Sequence, residues 1–158
     1  DRLYLARRMV RMAAEDVGLA DPGALRLAIA ARDAFHFLGS PEGEIALAEL
    51  AIYLALAPKS NAVYTAYQEA RAEVRAGTSH PVPLQIRNAP TTLMKDKGWG
   101  AGYEYAHDQP DALTAMECLP DALRGKVFYR PTQHGVEAKI RERLAQIRAA
   151  LAQRRGGA

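Results

Sequence analysis

Cysteine and long apolar runs are scarce in this chain of 158 residues. Its single cysteine, Cys118, excludes a disulfide within the chain and is typical of a reducing compartment. No apolar run reaches the roughly 20 residues of a membrane-spanning helix, and no secretory signal opens the chain. We therefore expect a cytoplasmic protein without a membrane partner. The chain begins with Asp1 rather than Met, so we interpret it as part of a larger protein.

A large excess of one charge is also missing. The 21 Lys and Arg residues face 18 Asp and Glu residues, which leaves a formal net charge of +3. Nucleic-acid binding would need the cations gathered on one surface, because dispersed charges produce no directed field. Composition alone therefore gives a nucleic-acid partner little support.

Catalytic, metal and nucleotide signatures are absent as well. The four histidines lack zinc-ligand spacing, and one cysteine cannot complete a zinc site. Gly98 to Gly102 follows no predicted strand and precedes no apolar helix, so it predicts a flexible loop rather than a dinucleotide site. His107-Asp108 has no marked nucleophile beside it. We expect no catalytic residue, no metal and no cofactor in this chain.

Alanine is abundant, with 31 residues, and the helix boundaries are well marked. Asp21-Pro22 and Ser40-Pro41 each place a capping side chain before a proline suited to the first helical position. Helices are predicted at residues 2–17, 22–38, 41–57, 60–76 and 135–153. The predicted fold class is therefore all-α: a bundle of four helices, an irregular Pro/Gly-rich segment with a short helix near 88–97, and a C-terminal helix.

Residues 45–57 form the most apolar of these helices. Glu49 is its only charged residue, and apolar side chains cover every face at helical spacing. A helix of this kind is normally buried on all sides. We expect it to be either the central helix of the domain or a helix shared across a subunit interface.

Residues 87–107 interleave cations with aromatic side chains, a pattern that can follow and stack single-stranded nucleic acid. The candidate DNA contacts are Lys59, Arg87, Lys95, Lys97 and Trp99. Asp96 and Glu104 dilute this charge, and a segment docked on the helices would explain the pattern equally well.

Several stretches together resemble one family. They include Leu38-Gly39-Ser40-Pro41-Glu42-Gly43-Glu44, Ala57-Pro58-Lys59-Ser60-Asn61 and Arg87-Asn88-Ala89-Pro90-Thr91, with residues 4–9, 14–18, 20–22, 93–95, 102–103 and 105–108. Their order and spacing are similar to the C-terminal region of the replication-associated recombination protein A ATPases (RarA, also called MgsA). The Werner-helicase-interacting protein is the eukaryotic relative. The resemblance covers nearly the whole chain.

The resemblance implies a parent protein that is a clamp-loader-like AAA+ ATPase acting in DNA replication, recombination and repair at stalled forks. It implies that this region is a non-catalytic, collar-like domain that holds a homotetramer. ATP and Mg²⁺ belong to an N-terminal module whose motifs this sequence lacks. The implied partners are further copies of the chain, its own AAA+ module, DNA through the parent protein, and single-strand-binding protein or replisome components. The implied location is the nucleoid.

By the same likeness, residues 1–18 are the last lid helix or its junction to the ATPase module, residues 19–153 are the collar and residues 154–158 are a frayed tail. Self-association is the function we expect, with a DNA-binding or partner-docking module as the alternative. Alanine permits close helix approach, and a permanent interface resembles a core cut in half. The candidate interface residues are Leu50, Ile52, Tyr53, Leu56, Tyr64, Tyr67, Leu84, Leu93 and Met94.

Overall fold

The computed structural model describes residues 1–77, 79–109 and 111–156. These residues contain six α-helices and no strand. The helices are α1 Arg2–Met12, α2 Gly23–Leu38, α3 Glu44–Leu56, α4 Ala62–Ala76, α5 Thr92–Asp96 and α6 Glu137–Gly156. The all-α prediction is confirmed. Within the described residues, no helix has the length and apolar character needed to cross a bilayer.

The chain divides into two units. The first comprises Asp1–Ala72 with Phe128–Glu142, and the second comprises Glu73–Val127 with Arg143–Ala158. Residues 1–18 pack with α2 and α3 inside the first unit. The boundaries of the two units fall within α4 and α6, and the division at residue 18 that the family likeness implies stays a prediction.

Small side chains dominate the core of the first unit, where α1, α2 and α3 meet. Eight of the twelve buried apolar residues are alanines, which allow the helix backbones to approach closely. The larger residues fill the space that remains. The alanines are Ala6, Ala13, Ala20, Ala24, Ala28, Ala31, Ala57 and Ala62, and the larger residues are Val17, Leu47, Leu50 and Leu54.

The single chain does not bury α3 on all sides, so the prediction of a central helix is wrong and the alternative of a subunit interface stays a prediction. Its buried side consists of Leu47, Leu50 and Leu54, which belong to the same core cluster as the alanines of α1 and α2. Its opposite side carries large apolar residues that remain exposed. The helix therefore lies at the edge of the unit rather than at its centre, because α1 and α2 cover only its leucine side.

The predicted start of the second helix is present. Asp21 Oδ1 accepts a hydrogen bond of 2.9 Å from the backbone N–H of Gly23, at the beginning of α2. Its Oδ2 accepts one of 2.6 Å from the hydroxyl of Tyr53 on α3. This hydrogen bond is the main cause that raises the pKa of Tyr53, and partial burial of the phenol is the second. The phenol therefore keeps its proton. Asp21 thus caps one helix and links it to the next.

A widened turn follows α1. Residues Ala13–Val17 form a π-helical turn, and Gly18 then redirects the chain with a φ of 54°. The backbone N–H of Ser60 donates a hydrogen bond of 2.8 Å to the carbonyl of Asp16. A Cβ on Gly18 would lie 2.6 Å from the carbonyl oxygen of Ser60. Glycine is required there both by the backbone conformation and by this close approach.

A fully buried carboxylate joins the linker between α3 and α4 to the start of α6. Glu137 accepts hydrogen bonds of 2.7 Å from the Tyr129 hydroxyl and 2.6 Å from the Thr132 hydroxyl, and the Ser60 hydroxyl also bonds to it. Burial raises the pKa of Glu137, but the three hydrogen bonds outweigh it and hold the pKa below its usual value. As the first residue of α6, the carboxylate also complements the helix dipole.

The chain enters α6 through a close backbone contact. The Val136 N–H donates a hydrogen bond of 2.8 Å to the carbonyl of Ala20, and Gly135 precedes it with a φ of 54°. A Cβ on Gly135 would overlap that carbonyl oxygen and would lie 2.7 Å from Pro58 Cγ. The start of α6 is therefore fixed against the segment that follows α1.

Glycines order the segment after α5 in the second unit. Gly98, Gly100 and Gly102 have φ values of 77°, 75° and 77°. The Gly100 N–H donates a hydrogen bond of 2.8 Å to the carbonyl of Leu84, and the Trp99 N–H donates one of 3.1 Å to the carbonyl of Met94. The loop predicted to be flexible is instead a succession of hydrogen-bonded turns.

Two arginines anchor the C-terminal end of α6. Arg154 donates a hydrogen bond of 2.7 Å to Asp111, which lowers the pKa of that carboxyl, and Arg155 donates to the carbonyl of Ala115. Residues 154–156 are helical rather than the frayed tail that was predicted, because these bonds tie them down. Residues 157–158 lie outside the described part of the chain.

Substituting Gly135 should unfold the first unit far more readily than substituting a glycine in open space. Gly135→Ala should lower the free energy of unfolding by about 3 kcal/mol or more, because backbone strain of about 1–2 kcal/mol adds to overlap with Ala20. Gly102→Ala is the matched control, since its φ of 77° is similar but no atom lies within 4 Å. Equal losses in chemical denaturation would contradict the close contact.

The hydrogen-bonded charge of Glu137 should make stability depend on pH. Glu137→Gln should cost about 1–3 kcal/mol near pH 7, because charge-assisted hydrogen bonds are removed. A lowered folded-state pKa gives stability that is present above the unfolded pKa and lost as the pH falls through the folded pKa. The difference in the free energy of unfolding between the unmodified protein and Glu137→Gln should therefore narrow below about pH 4. Glu142→Gln, on the exposed side of α6, serves as the control, and a gap independent of pH would argue against this role.

Candidate functional site

The outer side of α3 is an apolar surface. Ile45, Ile52 and Leu56 are 75%, 64% and 81% exposed. Seven and eleven residues separate Ile52 and Leu56 from Ile45, so the three side chains fall on one stripe of the helix. An exposed helix normally presents polar residues on this side. We call these three residues the α3 stripe.

The flank of the α3 stripe consists of small residues. Ala48, Ala51 and Ala55 are exposed beside it, and Glu49 is the one charged residue among them. Small side chains next to branched ones let another helix approach closely. The arrangement can therefore accept an apolar helix, with Glu49 available for a polar contact at the edge.

Helix α4 also turns large residues outward. Tyr64 and Tyr67 are 43% and 60% exposed, and Val74 is 80% exposed. Only Ala62 is fully buried among the residues of this helix. The side of α4 that carries Tyr67 and Val74 is therefore left uncovered by the described part of the chain.

The nine predicted interface residues fall into three groups. The exposed ones are Ile52, Leu56, Tyr64, Tyr67, Leu84 and Leu93, and the half-buried ones are Tyr53 and Met94. Leu50 is fully buried in the core of its own chain, so it has no surface to offer a partner and we withdraw it. Ile45 lies in the helix that was predicted to reach a subunit interface but is not among the nine named residues, although its spacing of seven residues from Ile52 was a signal in the sequence.

Lys59, one of the predicted DNA contacts, instead bonds to backbone carbonyls of its own chain. Its Nζ donates a hydrogen bond of 2.8 Å to the carbonyl of Leu54 and another to the carbonyl of Ala57. These groups lie at the C-terminal end of α3, where carbonyls have no partner within the helix. Lys59 caps α3, and we remove it from the set of DNA contacts.

The structure brings two of the other DNA candidates together. The Arg87 guanidinium carbon lies 5.5 Å from the centre of the Trp99 ring, and Arg87 Nε donates a hydrogen bond of 2.6 Å to the carbonyl of Val82. Trp99 is half-buried, whereas Lys95 and Lys97 are exposed. Arg87 and Trp99 thus form a cation–aromatic pair, and the two exposed lysines nearby in sequence form no ion pair within the described residues.

Helix α6 carries cations that the sequence reasoning did not single out. Lys139, Arg141, Arg143 and Arg148 are exposed, and within the described residues none of them forms an ion pair. Arg141 and Arg148 are separated by seven residues and so lie within about 20° of each other around the helix. The signal was available in the sequence as a helix rich in Lys and Arg.

A hollow of about 490 Å³ lies in the second unit. Two segments line it, His80–Arg87 without Ile86 and Leu119–Arg124 without Leu123. Its walls mix apolar side chains with charged ones, and Arg124 pairs with Asp121 at 2.5 Å. No cluster of three metal-ligating side chains occurs among the described residues. The lining of the hollow can make both apolar and charged contacts with a bound segment.

Comparison with known proteins places the chain in a family. A sequence profile described as the C terminal of MgsA AAA+ ATPases matches residues 1–148. The chain is 50% identical over 149 residues to replication-associated recombination protein A of Coxiella burnetii, which covers 94% of the chain and 34% of that protein. It is 51% identical over 148 residues to the protein of the same name from Escherichia coli K12, with coverages of 93% and 33%.

A eukaryotic relative is similar over a shorter stretch. The chain is 47% identical over 128 residues to the ATPase WRNIP1 of Dictyostelium discoideum, which covers 80% of the chain and 15% of that protein. The chain spans about a third of the length of these two bacterial proteins. Because the profile and the bacterial relatives match nearly all of it, the chain belongs to the MgsA family of AAA+ ATPases and corresponds to the C-terminal region of its members.

Proposed function

We propose that this domain is a non-catalytic self-association module that gathers AAA+ modules into a homotetramer. The parent protein would act in replication-associated recombination at stalled forks. The names of the bacterial relatives support the recombination role. The single observation that carries the self-association is the α3 stripe, an apolar surface on a helix whose other side is already packed.

The energetics of the α3 stripe favour a covered state. Fully burying an Ile or Leu side chain contributes about 1.5–3 kcal/mol relative to leaving it in water. Three such residues on one helix could supply several kcal/mol, and the alanines beside them lower the steric barrier to close contact. A stable interface buries at least about 1,000 Å², so neighbouring residues must also take part. The exposed tyrosines of α4 are suited to that role.

Association at this domain would influence the ATPase modules through proximity. Tethered modules experience a high local concentration of one another, so weak contacts between them become populated. ATP and Mg²⁺ would bind in those modules, whose motifs this sequence lacks. The domain would thus contribute assembly and leave the chemistry to the rest of the parent protein.

Placing a charge on the α3 stripe should dissociate the oligomer without unfolding the chain. Light scattering over a concentration series should give a mass near four chains for the unmodified domain. Ile52→Asp should give the monomer mass at concentrations where the unmodified chain is tetrameric, since a buried unpaired carboxylate is strongly unfavourable. Circular dichroism should retain the helical signal, because Ile52 is exposed in the single chain.

Two controls separate assembly from folding. Gln146→Asp adds the same charge on the exposed side of α6 and should leave the mass unchanged. Leu47→Asp places the charge in the core and should unfold the domain. A chain that is monomeric at its highest concentration, or an Ile52→Asp variant that remains tetrameric, would reject the proposal.

DNA contact is the second candidate function, and the Arg87–Trp99 pair is the observation that favours it. Stacking of a base on an aromatic ring contributes about 1–3 kcal/mol, and nearby cations can neutralise phosphates. Lys95 and Lys97 are free to do so, and Tyr103 and Tyr105 are exposed in the segment that follows.

Charge reversal at two different surfaces tests this candidate. Lys95→Glu/Lys97→Glu should weaken binding of a labelled single-stranded oligonucleotide about tenfold or more at low salt. The dependence of log K on log salt should become shallower by about 0.7 for each phosphate that the protein no longer neutralises. Arg141→Glu/Arg148→Glu changes the net charge equally and should have little effect. Equal weakening by both variants would indicate non-specific attraction, and a larger effect of the second would move the contact to α6.

A further inference from the structure

Phe37 is the most exposed large apolar residue of the described chain. It lies one residue before the end of α2, and its side chain is 88% exposed. Single exposed apolar residues are common on protein surfaces. A phenyl ring almost wholly in water on a short helix end, however, is a projection that another molecule can cover. Leu38 beside it is 53% exposed and enlarges the projection.

An apolar hollow of about 250 Å³ lies elsewhere in the first unit, and we call it the α1–α2 hollow. It forms where the π-helical turn after α1 widens the backbone, and π-turns of this kind often occur at functional sites. The lining residues are Ala13, Ala14, Gly18, Leu19, Pro22, Leu25 and Val63. None of them carries a polar side chain, so the hollow suits an apolar group rather than an ion or a sugar.

The hollow and the projection match in size and chemistry. An apolar cavity of about 150 Å³ is large enough for benzene, so a hollow of about 250 Å³ open to solvent can receive a phenyl ring. Small residues at Ala13, Ala14 and Gly18 form one wall, and the branched side chains of Leu25 and Val63 can contact the faces of the ring.

The two features cannot meet within one chain. Leu25 lines the hollow near the start of α2, and Phe37 lies near the end of the same helix. Twelve residues of a rigid helix separate them, a distance of about 18 Å at 1.5 Å per residue. Every copy therefore carries one projection and one hollow at opposite ends of α2, and the described residues of the same copy leave both of them uncovered.

We propose that Phe37 of one copy inserts into the α1–α2 hollow of a second copy, which makes a head-to-tail contact between identical chains. This inference rests on the proposed self-association and specifies one of its contacts. A head-to-tail interface uses two different surfaces of each chain and closes into a ring when the rotation between neighbours allows it. The α3 stripe then supplies a separate surface, so the two contacts can be tested apart.

Truncating Phe37 and filling the α1–α2 hollow should both weaken the association between copies. Phe37→Ala should raise the dissociation constant of the oligomer about tenfold or more, and Phe37→Leu should raise it less. Ala14→Phe, which fills the hollow from an exposed position, should weaken association to a similar degree. The double variant should be no weaker than either single one, because both remove the same contact. Val127→Ala, at a residue 39% exposed that belongs to none of the proposed surfaces, is the control and should have no effect.

Cross-linking identifies which surfaces meet. In a Cys118→Ser background, chains with His36→Cys are mixed with chains carrying Ala14→Cys and treated with a short bis-maleimide. Cross-linked dimers should form in the mixture and in neither protein alone. Dimers within the His36→Cys protein alone would indicate a symmetric contact of Phe37 with Phe37 and would overturn the proposal.

The outcomes separate this contact from the proposed function. If the chain self-associates and Ile52→Asp dissociates it while the Phe37 and Ala14 variants do not, self-association stands and the head-to-tail contact fails. In that case another part of the parent protein covers Phe37. If the chain is monomeric at every concentration, both proposals fail.

Discussion

The buried carboxylate of Glu137 is the interaction on which the first unit depends. It begins α6 and accepts hydrogen bonds from side chains of the α3–α4 linker and of the segment before α6. The backbone bond from Val136 to Ala20 adds the end of the first helical stretch to the same point. Segments more than a hundred residues apart in sequence are thereby joined where a charge is both buried and satisfied. Because an unsatisfied buried charge is very costly, the segments that bond to Glu137 stabilise one another in the folded unit.

Local signals in the sequence located most of the helices, although α3 begins at Glu44 and not at Pro41 as the Ser40-Pro41 signal predicted. Asp21 before Pro22 and Gly39 after Leu38 bracket α2, because capping and backbone freedom act over a few residues. The candidate site was partly accessible for the same reason. Ile52 and Leu56 could be named as interface candidates because α3 has more apolar faces than its own chain can cover. What periodicity could not decide was which of those faces the chain leaves open.

The remaining features depend on contacts between residues distant in sequence. The pattern of Glu137 is that of an ordinary acidic residue in a first helical turn, and only Tyr129, Thr132 and Ser60 turn it into a buried hub. Lys59 looked free for DNA because a side chain that returns to cap the preceding helix leaves no trace in spacing. The glycines after α5 indicated flexibility, whereas positive φ values and a bond to Leu84 give them order. The residue type limits which contacts a side chain can form, and the fold determines which of those contacts it actually makes.

The distribution of apolar side chains links folding to assembly. Alanines make up most of the buried core, and each contributes little transfer free energy because it removes few carbon atoms from water. Phe37, Ile45, Ile52 and Leu56 could contribute far more, yet all remain mostly exposed in the single chain. In the proposed assembly these larger residues are buried between copies, so association completes the apolar packing that folding leaves open. By mass action, the folded chain becomes more stable as the chain concentration rises above the dissociation constant of the oligomer. An alanine core suits this arrangement for two reasons. Closely packed backbones hold the exposed apolar residues at fixed spacing, and few large side chains are needed to fill the core.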